Sequence, residues 1–291
     1  DDILCLAKCP EPIKLEGDDE YSDVFASGEV GKCPKICVWK TNKNVELIVS
    51  IRGFHKRGVN LLSFGGKKNE YLASVGLDNE HSVAVYDWKK NELKYNARTH
   101  KSPVLAIVHQ RFDQNPSEPS AHVPFVTGGV NHLLVWNRKG RGIAYTKKLF
   151  GSSNGVVKRR KNKIVVLSIA YVNKRLLAGT AHGSIYGWAE NSQRPTFEIE
   201  PRAANLKEGI NCLVAFTHKE NHVLSGSTSQ ARKEKSFVLS GSVDGYITIY
   251  EAGQIQTLNR SVPVKGDESP STSEIDLSEL ELKVGEKSKI G

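Results

Sequence analysis

Few residues in this chain have the types and spacing that do chemistry. Gly65-Gly66 and Gly128-Gly129 neither open a helix nor precede Lys-Ser/Thr, so they read as turn or strand glycines and not as phosphate loops. There is no nucleophile elbow leading into a helix, no His-Glu-x-x-His and no pair of catalytic carboxylates. Cys5/Cys9 and Cys33/Cys37 form two Cys-x-x-x-Cys pairs that raise a zinc site as an option. Five cysteines on 291 residues, an odd and sparse set, read instead as buried small hydrophobes in a reducing compartment. The expectation is no enzyme, no metal and no cofactor.

The strongest chemical signal is charge placement. From residue 119 to 189 there is no Asp or Glu, while twelve bases fall there, ten of them between Arg138 and Lys163. The chain as a whole carries +9, so the remainder sums to −3. Such a field concentrates acidic partners and speeds their arrival, by an amount that salt reduces. The predicted partner-binding basic face is Arg138, Lys139, Arg141, Lys147, Lys148, Lys158, Arg159, Arg160, Lys161 and Lys163. A solvated surface or an import-type signal at residues 158–163 are the alternatives. Nucleic acid is disfavoured, because no aromatic interleaves that run to stack bases.

The elements that must carry these residues repeat. A small residue and Gly, a polar turn, then alternating aliphatic residues closing on an aromatic recur five times, ending at Trp39, Tyr86, Trp136, Trp188 and Tyr250. The intervals of 47, 50, 52 and 62 residues match propeller blades of about 40–50 residues. A short apolar run precedes each Gly strand: 3–7, 59–64, 104–108, 164–171 and 210–216. Val45 to Ile51 reads as an outer strand, Ser225 to Lys235 as an inserted loop, and Asp244-Gly245 as a hairpin turn. No amphipathic helix emerges. The expectation is an all-β propeller over 1–260 with five clear four-stranded blades, its closure at six or seven blades left open. Residues 261–291 read as a linker or tail, or as part of a further blade. The chain opens on Asp1 and contains no Met, which reads as a piece of something longer.

These residues resemble a WD-repeat protein, and more narrowly the echinoderm microtubule-associated protein-like family. Asp1-Asp2-Ile3-Leu4-Cys5-Leu6-Ala7 resembles that family's Asp-Asp-Val-x-Cys-Leu-Ala. Ala26 to Trp39, Phe54-His55-Lys56-Arg57-Gly58-Val59 and the Tyr86-Asp87-Trp88 ending also fit its pattern in order. The resemblance is good over about residues 1–190 and moderate to 251. It implies two fused propellers that bind tubulin in the cytoskeleton, helped by an N-terminal coiled coil and basic region that this sequence does not display. It also implies structural roles for His55, His100 and Asp244 in a hydrogen-bond network and for Trp39, Trp136 and Trp188 as blade aromatics. The expectation is a cytoplasmic, cytoskeletal scaffold with protein partners, tubulin or microtubules first, and no membrane. The alternative is a WD-repeat scaffold of another complex: ciliary, signalling or RNA-associated.

Overall fold

The computed structural model describes residues 2–15, 17–42, 44–66, 68–110, 125–151, 163–199, 209–222, 231–243, 245 and 247–251. Among these there are strands and turns but no helix. The first sheet is β1 (Ile3–Lys8), β2 (Asp23–Glu29), β3 (Ile36–Thr41) and β4 (Val45–Ile51). The second is β5 (Val59–Gly65), β6 (Tyr71–Gly76), β7 (Val83–Asp87) and β8 (Glu92–Ala97). The third is β9 (Val104–His109), β10 (Phe125–Gly129), β11 (His132–Lys139) and β12 (Gly142–Lys147). The fourth is β13 (Val166–Val172), β14 (Arg175–Thr180), β15 (Ile185–Trp188) and β16 (Phe197–Ile199). The fifth has three strands among the described residues: β17 (Ile210–His222), β18 (Ala231–Ser242) and β19 (Ile247–Glu251).

Every pairing is antiparallel between consecutive strands. The inner strands β1, β5, β9, β13 and β17 pack in that order. The chain is therefore a propeller of successive blades, as its repeat predicts. Two local readings change. The fourth inner strand starts at Val166, not at 164, and Ala231–Lys235 continue β18 where a loop is expected. Residues 223–230 lie outside the described set.

The repeat registers identically in each blade. Trp39, Tyr86, Trp136, Trp188 and Tyr250 all pair with the residue two before the Ser, Thr or Ala of the Gly strand. A blade face buried on one side only would alternate, but β7 and β10 are buried throughout because a blade lies against each side. The core accordingly divides into four clusters, one for each junction between neighbouring blades.

The same register shows what a blade owes to its neighbours. Leu6, Leu62, Ile169 and Leu213 occupy equivalent inner-strand positions. Leu62, Ile169 and Leu213 are buried, whereas Leu6 in the first sheet is 71% exposed. Ile36, Val83, Leu133, Ile185 and Ile247 are likewise equivalent. The first four are buried and Ile247 in the fifth sheet is 75% exposed. Position in the row of blades, not residue type, decides burial here. In this chain Leu62→Ala should therefore cost about 2–5 kcal/mol, the range for a truncated core leucine. Leu6→Ala should stay within about 0.5 kcal/mol, as for other exposed sites. Urea-unfolding midpoints of the two variants check the contrast.

Candidate functional site

In the first three blades the polar groups inside are arranged around the Ser or Thr of the Gly strand. The Trp39 indole N–H donates to Ser27 Oγ at 2.9 Å, and the Trp136 indole to Thr127 Oγ1 at 2.9 Å. In the second blade Ser74 takes both partners: His55 Nε2 lies 2.7 Å from its Oγ, and the Tyr86 hydroxyl bonds it. Burial lifts the Tyr86 phenol to about 12, which this bond partly offsets. The fourth blade has Ala178 in place of the hydroxyl residue. Trp188 there turns its N–H to the Leu149 carbonyl instead, at 3.4 Å. Gly76 is required beside His55, since a Cβ would sit 2.4 Å from His55 Nδ1 and 2.7 Å from Asp78 Oδ2. His100 does not repeat the His55 arrangement. Its ring stacks on His132 at 4.7 Å and its Nδ1 accepts the Ser102 N–H. Asp244 lies outside the described residues.

These networks are buried inside the blades, and among the described residues no group of three His, Cys, Asp or Glu could hold a metal. Cys5 and Cys37 face Val59 O and Ser50 Oγ, each in a separate environment. Burial pushes the Cys5 thiol up to about 11, which leaves it protonated and unreactive.

Strand direction sorts the basic residues between two ends of the propeller. The upper end holds the turns from the second to the third strand of each blade and the connections into the next blade; the lower end holds the other turns. Arg138, Lys139 and Arg141 sit at the exposed lower turn between β11 and β12, and Lys174 and Arg175 sit at a lower turn of the next blade. Lys147 and Lys163 belong to the upper end. The acid-free stretch is thus two surfaces and not one. Lys148 joins neither: it is 8% exposed and its ammonium donates to the Ser192 carbonyl. It anchors a strap in which the Leu149 N–H donates to Gln193 O and Phe150 packs edge-on to Tyr186 and Trp188. Burial lowers the Lys148 pKa accordingly. Lys158, Arg159, Arg160 and Lys161 lie outside the described residues.

A further set of bases, missed in the sequence, lines the upper end of the first three blades: Lys32, Arg52, Lys56, Arg57, Arg98 and Lys101, all exposed. In sequence they are interleaved with acids. In space the acids at the ends of β4, β7 and β8 go to the lower end, where they pair with lysines. Among the described residues the lower end holds Lys8–Asp23, Lys40–Asp18, Lys40–Glu46, Lys90–Asp87 and Lys94–Glu92. The upper end holds Lys35–Glu29.

A molecule built this way, a row of antiparallel blades with buried polar networks and charge on its ends, is a β-propeller. The chain belongs to the echinoderm microtubule-associated protein family: residues 1–233 match the family model described as its first beta-propeller. It is similar to the 77 kDa echinoderm microtubule-associated protein of Strongylocentrotus purpuratus, at 27% identity over 67% of this chain and 26% of that protein. It is also similar to echinoderm microtubule-associated protein-like 1 of Mus musculus, at 25% identity over 69% of this chain and 23% of that protein. The chain thus spans about a quarter of the length of these relatives. A solved structure of U3-55K superimposes with a TM-score of 0.52 at 16% identity, covering 79% of this chain and 60% of that one, and shares the fold.

The buried imidazoles give this architecture a pH dependence. Burial pulls His55 down to about 4 against the opposing pull of Asp78, His132 to about 4 and His109 to about 3. All three are neutral in the folded protein at neutral pH and add nothing to its positive charge. Unfolded, they titrate near 6.5. As pH falls below about 6.5 the unfolded chain takes up protons that the folded one refuses, so stability is full above that value and drops toward pH 4. Melting temperature should therefore decline already between about pH 6.5 and 5, above the carboxylate range. His55→Gln should flatten that slope, and an unchanged slope in scanning calorimetry would contradict it.

Proposed function

We propose that this chain is a non-enzymatic interaction scaffold that associates with tubulin or microtubules in the cytoplasmic cytoskeleton. The observation that carries the reading is its place in a family whose similar members are named microtubule-associated proteins. The charge supports it: a +9 chain with an acid-free, twelve-base stretch suits an acidic partner approached through long-range attraction. No cofactor is needed for such a role, and the buried hydroxyl, indole and imidazole groups serve the blades rather than a reaction.

Co-sedimentation with polymerised tubulin tests this. The 291-residue chain should pellet in proportion to polymer at low ionic strength and be released as salt shortens the screening length to about 8 Å at physiological strength. Reversing the run with Lys158→Glu, Arg159→Glu, Arg160→Glu and Lys161→Glu should weaken pelleting by about tenfold, within the range that electrostatic steering spans. Absence of wild-type pelleting at low salt would sink the proposal for this chain.

A further inference from the structure

We infer that the upper rim of the first three blades, bearing Lys32, Arg52, Lys56, Arg57, Arg98 and Lys101, is the docking surface for an extended acidic polypeptide segment. The inference deepens the scaffold reading and rests on it for the acidity of the partner. The surface itself is defined by the backbone that holds it and by the charges left without partners.

The rim is continuous. The Gly31 N–H donates to the Arg57 carbonyl at 3.1 Å, and Val30 bridges Gly58. The Leu77 N–H donates to the Gly58 carbonyl at 3.0 Å, and the Thr99 N–H to the Glu80 carbonyl at 3.2 Å. The turn holding Lys32, the connection holding Arg52, Lys56 and Arg57, and the connection holding Arg98 and Lys101 are thus stitched edge to edge. Lys32, Arg57 and Arg98 thus lie at or beside backbone fixed by a neighbouring segment, which lowers the ordering cost of binding. Arg57 is further held by a 2.9 Å bond from Nη1 to Asn79 Oδ1.

Two of the rim's acids, Asp78 and Glu29, are engaged locally, while Asp2 and Glu80 on the same rim leave six bases in excess of two acids unpaired among the described residues. Asp78 accepts from the Ser82 N–H, the Ser82 hydroxyl and the Glu80 N–H, which fixes the turn between β6 and β7. Glu29 pairs with Lys35 at 3.6 Å. Among the described residues no ion pair neutralises Lys32, Arg52, Lys56, Arg57, Arg98 or Lys101, whereas the lysines at the lower end of these same blades are widely paired. At the rim the histidines do not add charge at neutral pH where burial has lowered them, as at His55 and His132.

A row of bases could also suit a nucleic acid strand. The strand reading needs aromatic faces beside the charges. Of the exposed aromatics among the described residues, Tyr21 lies at the lower end and Tyr145 packs edge-on to Trp136 from the outer strand β12, outside the turns that carry the rim bases, and Phe54 is half-buried edge-on to His55. Arg clusters facing spaced carboxylates are the remaining match, the mode by which acidic motifs are captured.

The test uses the 291-residue chain and a fluorescent Glu-rich peptide of about 15 residues, long enough to span about 50 Å when extended. Fluorescence anisotropy at about 0.1 M ionic strength should give saturable binding. The triple variant Lys32→Glu, Lys56→Glu, Lys101→Glu should raise the Kd by about tenfold or more, given the reach of such fields. The neutral triple variant to Gln should fall between the two. Arg138→Glu, Lys139→Glu, Arg141→Glu at the lower end should stay within about threefold, because those bases lie beyond a screening length of about 10 Å. Unaltered circular dichroism and melting temperature establish that the variants are folded; should the Glu set unfold, the Gln set carries the comparison. Binding unchanged by both rim sets, equal loss from the lower set, or tighter binding of a single-stranded RNA of similar length each overturns the inference. Wild-type chain that pellets with microtubules yet ignores the peptide overturns it while leaving the scaffold reading intact. Chain that binds the peptide at the rim but fails to pellet does the reverse.

Discussion

A blade of this protein cannot bury both of its faces alone. Each four-stranded sheet is apolar on two sides, and only the blade before and the blade after can cover them. Four core clusters at four junctions are the direct expression of that constraint. So is the contrast between Leu62 and Leu6, or between Ile36 and Ile247, which share a residue class and a register but not a neighbour. The rest of the architecture follows from the row. The inner strands must be short and apolar, the registers must match, and polar groups inside must be satisfied locally.

That last requirement explains the buried networks. A Ser or Thr between two sheets needs a donor or acceptor within its own blade, and the aromatic across the register supplies it in the first three blades. Where the hydroxyl is lost, at Ala178, the freed indole of Trp188 finds the Leu149 carbonyl. The strap bearing that carbonyl is the same one that Lys148 secures through Ser192. A lysine that looks like part of a charged surface in sequence is thereby drawn into holding one blade's outer strand against the next.

Charge obeys the same geometry. In an up-and-down sheet, residues at one end of a strand meet residues from the far end of its neighbour, so sequence proximity and spatial proximity part company every few residues. Arg138 and Lys147 lie nine positions apart yet belong to opposite ends. Lys32 and Arg57 are far apart in sequence yet belong to backbones joined by a hydrogen bond at Gly31. The upper rim becomes basic because the turns carry Glu46, Asp87 and Glu92 away to the lower end, where lysines meet them.

The fold was legible in the sequence because a repeat writes its spacing directly: the recurring Gly strand and closing aromatic set the blades, their order and the outer strand from Val45 to Ile51 without knowledge of contacts. The placement of His55 just ahead of an inner strand is local to a blade and visible in the sequence, whereas its hydrogen-bond role entered only through the family resemblance. The tertiary structure alone decided which residues share a surface. It divided the acid-free stretch between two ends, buried Lys148, set His100 against His132 instead of a hydroxyl, and gathered Lys32, Arg57 and Lys101 on one rim. Periodicity along the chain fixes the pleat and the turn, but a surface is made by the ends of many strands. Which ends meet depends on register and on the packing of one blade against the next, neither of which a single stretch of sequence contains.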